Sequence, residues 1–164
     1  MKTNYFSNIL FALLIILSGK IYCQTTTINL GTGSGTLGDK NIFIGYYAGT
    51  DEEGSDNVFL GYRSGDGSEE SYYNVFLGSE TGRNSYEGEY NTFVGYRAGV
   101  LNSYGGDNTF LGSKAGTYNT TGSNNVFLGS LAGYSNVNGG SNVYLGMMAG
   151  YYSTGSNNIF LGMM

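Results

Sequence analysis

Short apolar triplets punctuate this chain at a fixed interval, each preceded by Asn and closed by Gly. The block Asn-x-Phe-Leu-Gly-x-x-Ala-Gly begins at Asn41, Asn57, Asn74, Asn91, Asn108, Asn125, Asn142 and Asn158, in steps of 16 or 17 residues. Counting Asn as position 1, position 2 is Ile, Val or Thr in every copy and position 4 is Ile, Leu or Val. A short β-branched run bounded by Gly predicts a strand. Residues two apart point to the same side of a strand. Positions 2 and 4 therefore form one face, assigned on this reading to the interior of a coil. Position 3 then points outward: Phe43, Phe59, Phe76, Phe93, Phe110, Phe127, Tyr144 and Phe160.

A fixed short period predicts a solenoid, whose repeats are too small to bury an apolar face alone and must stack on their neighbours. The small residues at position 8 (Ala48, Ser64, Thr81, Ala98, Ala115, Ala132, Ala149) suit a corner where the backbone crosses a thin core. The flanking glycines suit positive φ or close backbone approach. Linkers of Tyr, Ser, Asn, Gly and acids then lead to the next Asn. A degenerate copy, Thr27-Ile28-Asn29-Leu30-Gly31, precedes the first by fourteen residues, with Asn29 in place of Phe. It reads as a capping turn. The expectation is an all-β parallel β-solenoid of about nine turns of 14–17 residues, with residues 24–40 as cap and 41–164 as repeat domain. At about 4.8 Å per turn the rod is about 40 Å long. The recurring Asn is read as a hydrogen-bonded ladder between successive turns rather than a ligand contact.

An outward column of eight aromatic rings would exceed the apolar patch that soluble monomers usually expose. The Phe column is therefore the expected oligomer interface. Tyrosine is the other recurrent surface residue. Tyr46, Tyr47, Tyr62, Tyr72, Tyr73, Tyr86, Tyr90, Tyr96, Tyr104, Tyr118, Tyr134, Tyr151 and Tyr152 fall in corners and linkers among Ser, Gly and Asn. That composition suits recognition surfaces, because Tyr offers amphipathic area at low entropy cost. Tyr46, Tyr62, Tyr72, Tyr73, Tyr86, Tyr90, Tyr96, Tyr104, Tyr118 and Tyr134 are the candidate ligand-recognition residues. The alternative is lateral packing that seals the linkers.

Residues 1–23 read as a signal peptide: Lys2, then the apolar run Ile9–Leu17, then Ser18, Gly19 and Lys20. The run is too short for a membrane span. Cleavage after Cys23 leaves Gln24 as the first residue and no cysteine. A lipid-modified Cys23 is the rival, although Lys20-Ile21-Tyr22 lacks small residues. Beyond residue 23 there are five basic and twelve acidic residues, a net of −7, with ten acids between Asp51 and Glu89. Nucleic acid is a poor partner for such a surface. Gly33-Ser34-Gly35-Thr36-Leu37-Gly38 spells G-x-G-x-x-G, but no helix-period segment follows, so no dinucleotide site is expected. Without His, and without a desolvated carboxylate pair, no catalytic residue, metal site or cofactor is assigned. Acidic clusters such as Asp51-Glu52-Glu53 lack a repeated calcium pattern.

Val126-Phe127-Leu128-Gly129-Ser130-Leu131-Ala132-Gly133 and its sister blocks resemble the head repeats of trimeric autotransporter adhesins of the YadA-like type. They also resemble the Asn-Thr-Phe-Leu-Gly-x-x-Ala-Gly repeats of Bacteroidetes-type bacteria. The resemblance spans about residues 25–164. It implies a left-handed β-roll, a homotrimer, and a secreted or cell-surface adhesin head with a glycan or surface-protein ligand. The YadA-like repeat is shorter and carries a small residue where Phe stands here. Multivalent display of Tyr-rich linkers is the expected mechanism. The alternatives are a purely structural extracellular spacer or matrix protein and, behind it, a carbohydrate-active protein.

Overall fold

The computed structural model describes residues 28–31, 34–35 and 38–163. The expected signal segment 1–23 with its processing point at Cys23, most of the cap before Ile28, three residues of the G-x-G-x-x-G stretch (Gly33, Thr36 and Leu37) and Met164 lie outside them.

Nine three-residue strands follow one another: β1 Ile28–Leu30, β2 Ile42–Ile44, β3 Val58–Leu60, β4 Val75–Leu77, β5 Thr92–Val94, β6 Thr109–Leu111, β7 Val126–Leu128, β8 Val143–Leu145 and β9 Ile159–Leu161. They form one parallel sheet in chain order. The register is locked position on position, as in Phe59↔Phe76 and Phe76↔Phe93. The chain is an all-β parallel solenoid, one short strand per turn.

The two faces of the strand are reversed relative to the expectation. Position 3 points inward. Phe43, Phe59, Phe76, Phe93, Phe110, Phe127 and Tyr144 are fully buried, and only Phe160, in the last turn, is exposed. The outward faces of β2 to β8 carry positions 2 and 4, half-buried to exposed. The physical reason is the width of the coil. A turn with only one three-residue strand encloses a thin interior that takes one large ring per turn. In-register parallel strands repeat at about 4.8 Å, close to the thickness of an offset-stacked ring pair. Successive rings accordingly lie 4.7–5.0 Å apart with nearly parallel planes from Phe59 to Phe160. The oligomer interface assigned to the Phe column is thereby corrected. These rings are the core.

The opposite wall explains the small residues. Ala48, Ser64, Thr81, Ala98, Ala115 and Ala132 are wholly buried and Ala149 nearly so. The following Gly lies directly on the ring. A Cβ on Gly99 would come within 2.4 Å of Phe93 Cε2, and its φ of +60° is left-handed as well. This wall has its own hydrogen-bond ladder, in which the Gly99 N–H donates to Ala115 C=O and the Gly116 N–H to Ala132 C=O, both at 2.9 Å. The corner before it holds non-glycine residues at positive φ, from Tyr47 to Met148.

Asn at position 1 holds the turns together twice over. Asn91 Nδ2 donates to Gly105 C=O at 2.9 Å, while Asn91 Oδ1 accepts the backbone N–H of Asn108 at 3.0 Å. The same pair of bonds recurs at Asn41, Asn57, Asn74, Asn108, Asn125 and Asn142. At the N-terminal end, Asn29 stands in register with Phe43 and donates to the carbonyls of Ser34 and Gly35. A polar side chain thus terminates the ring stack, as a capping turn requires.

Candidate functional site

The tyrosines divide into two groups by what their rings touch. Tyr73 and Tyr90 stack at 4.9 Å with planes 9° apart, and Tyr46 lies parallel to Tyr62 at 6.0 Å. Tyr134 receives Tyr118 edge-on at 5.0 Å and stacks on Tyr151 at 4.8 Å. Rings paired along the rod axis cover each other's faces and present edges and hydroxyls to water. Tyr72 and Tyr134 are only partly exposed, and the Tyr72 backbone pairs in parallel with that of Glu89. Among the described residues no aromatic ring stacks on Tyr86, Tyr96 or Tyr104. All three are exposed, Tyr104 the most. Tyr96 lies under the Arg97 guanidinium at 6.0 Å. The candidate recognition residues therefore do not converge on one pocket. They line corners and linkers on successive turns.

Acidic and basic groups at the corners neutralise one another. Arg63 reaches Asp66 at 3.5 Å, Asp66 reaches Arg83 at 3.4 Å, and Glu80 bridges Arg83 at 3.8 Å and Arg97 at 3.6 Å. The chain of five charges spans three turns. Glu53, Glu69, Glu70, Glu87 and Glu89 stay exposed beside it. Among the described residues no three His, Cys, Asp or Glu side chains are placed to hold a metal ion. No helix there is long and apolar enough to cross a membrane.

A second internal polar column escaped the sequence reading. Eleven residues after each Asn stand Glu52, Ser68, Ser85, Asn102, Asn119 and Asn136, all buried. Asn119 Nδ2 donates to Asn102 Oδ1 at 2.5 Å, and Asn136 Nδ2 to Asn119 Oδ1 at 2.8 Å. The signal was present in the spacing of Asn102, Asn119 and Asn136, but Ser and Glu at the earlier positions broke the column.

No known protein family matches this chain, and no curated protein or solved structure is similar to it.

Glu52 is the one buried carboxylate in the second column. It accepts the Gly54 N–H at 2.6 Å, the Ser71 hydroxyl at 2.6 Å and the Ser71 N–H at 3.3 Å, clamping one turn to the next. Burial pushes its carboxyl from the ordinary 4.5 up to about 7, against the pull of these donors and with help from neighbouring Glu53. The folded chain holds this proton more tightly than the unfolded chain. The Glu52 contribution is therefore complete below pH 4.5 and lost as pH rises through about 7. Thermal stability is expected to decline across that window by up to about 3 kcal/mol, and Glu52→Gln to flatten the decline. Melting curves at half-unit pH steps test this. An equally steep fall in the variant would assign the titration to another group.

Proposed function

We propose that the chain is an exported, non-enzymatic rod that acts as an adhesin-like head or fibre segment, attaching through many weak contacts of its Tyr-rich linkers. The observation that carries this reading is the presence of exposed tyrosines, Tyr86, Tyr104 and Tyr118, on three consecutive turns of a coil stiffened by two hydrogen-bonded ladders. Rigid spacing converts weak contacts into avidity, because each later contact is made at high effective concentration. Tyr faces free of stacking suit a glycan or a polar protein surface. Display at the outer cell surface or in the extracellular medium follows from the N-terminal segment. Assembly into a homotrimer, implied by the resemblance, belongs to the same reading, but the buried Phe column gives it no contact surface.

Paired rings such as Tyr73 with Tyr90 favour a second reading, a structural spacer whose tyrosines seal its own linkers. Attachment of beads coated with the purified chain to cultured cells separates the two. A Tyr86→Ser, Tyr104→Ser, Tyr118→Ser variant is expected to retain about tenfold fewer beads, because avidity multiplies the loss of each contact. Unchanged retention would leave the spacer.

A further inference from the structure

We propose that the outer face of the sheet is the surface on which another copy of this chain docks. This deepens the assembly part of the reading above and rests on it. Positions 2 and 4 run outward in two straight columns, from Ile42 to Val143 and from Ile44 to Leu145. No Asp, Glu, Lys or Arg occupies either column, and Thr92 and Thr109 are the only hydroxyls among them. The side chains are half-buried to exposed, with Ile44 38% and Leu111 37% accessible. A covered apolar layer would bury such residues, yet among the described residues nothing covers them.

The size of the face fits a copy of the chain. Strand spacing of about 4.8 Å over the nine strands, with two columns about 7 Å apart, gives a flat strip of roughly 300 Å². That alone falls short of the roughly 800 Å² per partner of a stable interface. Tyrosines adjoin both ends of the strands: Tyr73 and Tyr90 immediately precede Asn74 and Asn91, while Tyr46, Tyr62 and Tyr96 follow the closing Gly. All five are exposed. Each rim lies two positions beyond a column, about 7 Å further out, so counting both roughly triples the width and brings the face to interface size. It then has an apolar centre and amphipathic edges, the usual anatomy of a protein contact.

Period selects the partner. The side chains repeat at the strand spacing along the whole rod, so close packing against all of them needs a partner surface with the same repeat. Another copy of this sheet has it by construction, and sheets pack face to face with interdigitated side chains at about 10 Å. The two columns carry no charge, and of the charged residues that share the rim position of Tyr73 and Tyr90, Lys40 and Asp56 pair with each other at 3.8 Å while Asp107 is exposed.

The test uses the purified chain, expressed with its own N-terminal segment so that any processing occurs. Its mass is measured by light scattering over a hundredfold concentration range. The variants are Leu77→Lys with Leu111→Lys on the face, and Tyr104→Lys off it. The parent and Tyr104→Lys are expected to form assemblies of two or three copies. The double variant is expected to be a monomer with an unchanged circular dichroism spectrum. Should the double variant misfold, Leu111→Cys in a Cys23→Ser background is expected to give a covalent dimer with a short bis-maleimide that Cys23→Ser alone does not give, and no such dimer would overturn the proposal. A parent that stays monomeric throughout would remove both the assembly reading and the face. A folded double variant that stays assembled would overturn the face alone, leaving assembly to another surface.

Discussion

Phe93→Ala is expected to cost about 3–5 kcal/mol, among the largest losses any single substitution in this chain can produce. The ring is fully buried between Phe76 at 4.9 Å and Phe110 at 4.7 Å, with planes 4–5° apart. Its removal forfeits the transfer energy of the ring and both stacking contacts, and the cavity has no route to collapse. Across the core stand Ala98 and Gly99, which have no side-chain reach, and the strand register on either side is fixed by β4 and β6. A solenoid is nearly one-dimensional, so a break at β5 uncouples the turns before it from those after it. Phe160→Ala supplies the comparison. That ring is exposed on one side and stacks only on Tyr144, so its loss is expected to be about 1–2 kcal/mol. Urea unfolding of both variants checks the difference. Equal, small losses would mean that position 3 is not the core. For the same reason Phe93→Ser with Phe110→Ser is expected to unfold the middle of the rod, not to dissociate an assembly.

The architecture was legible in the chain because it depends on period alone. Equal spacing of Asn, Phe and Gly determines which residues stack on which, and strand pairing follows position by position from Ile28↔Ile42 to Leu145↔Leu161. The direction of the faces was not legible. Both the Phe column and the Ile/Leu columns are apolar, so the alternation of hydrophobic and polar residues that usually marks the inside was missing. The decisive clue lay elsewhere, in the small pair at positions 8 and 9. An Ala-Gly corner leaves room for one bulky residue opposite, and a single Phe per turn fills that room better than two aliphatic chains. The second polar column was hidden for a different reason. Ser68, Ser85 and Asn102 occupy the same place with different side chains, and Glu52 does so by clamping Ser71 of the next turn. Recognition residues were legible as a composition but not as a site, because ring stacking between turns decides which tyrosine faces stay open.

Asn74→Ala is expected to rival the loss of Phe93, for an electrostatic rather than a packing reason. Two buried backbone groups depend on this one side chain: the Gly88 carbonyl, which accepts from Nδ2 at 2.7 Å, and the Asn91 N–H, which donates to Oδ1 at 2.8 Å. Neither reaches water when the side chain is truncated, since Gly88 and Asn91 are themselves buried. Each orphaned group costs about 1–3 kcal/mol, so the pair amounts to about 2–6 kcal/mol. Asn158→Ala removes an equivalent residue just before β9, where the Asn158 amide donates to Asn142 and, among the described residues, no N–H donates to its oxygen. Its cost is expected to be about 1 kcal/mol. Asn74→Asp separates the two bonds. The carboxylate still accepts the Asn91 N–H, but its second oxygen faces the Gly88 carbonyl oxygen and repels it. Protonation turns that oxygen into a donor, so the folded state raises the pKa of the new acid. The variant is then most stable in acid and loses stability as pH rises through that raised value. Melting of Asn74→Ala and Asn74→Asp at pH 4 and pH 8 tests the ladder directly. A loss from Asn74→Asp that is the same at both pH values would show that the amide nitrogen bond contributes little, and that the rod is held by its rings and backbone alone.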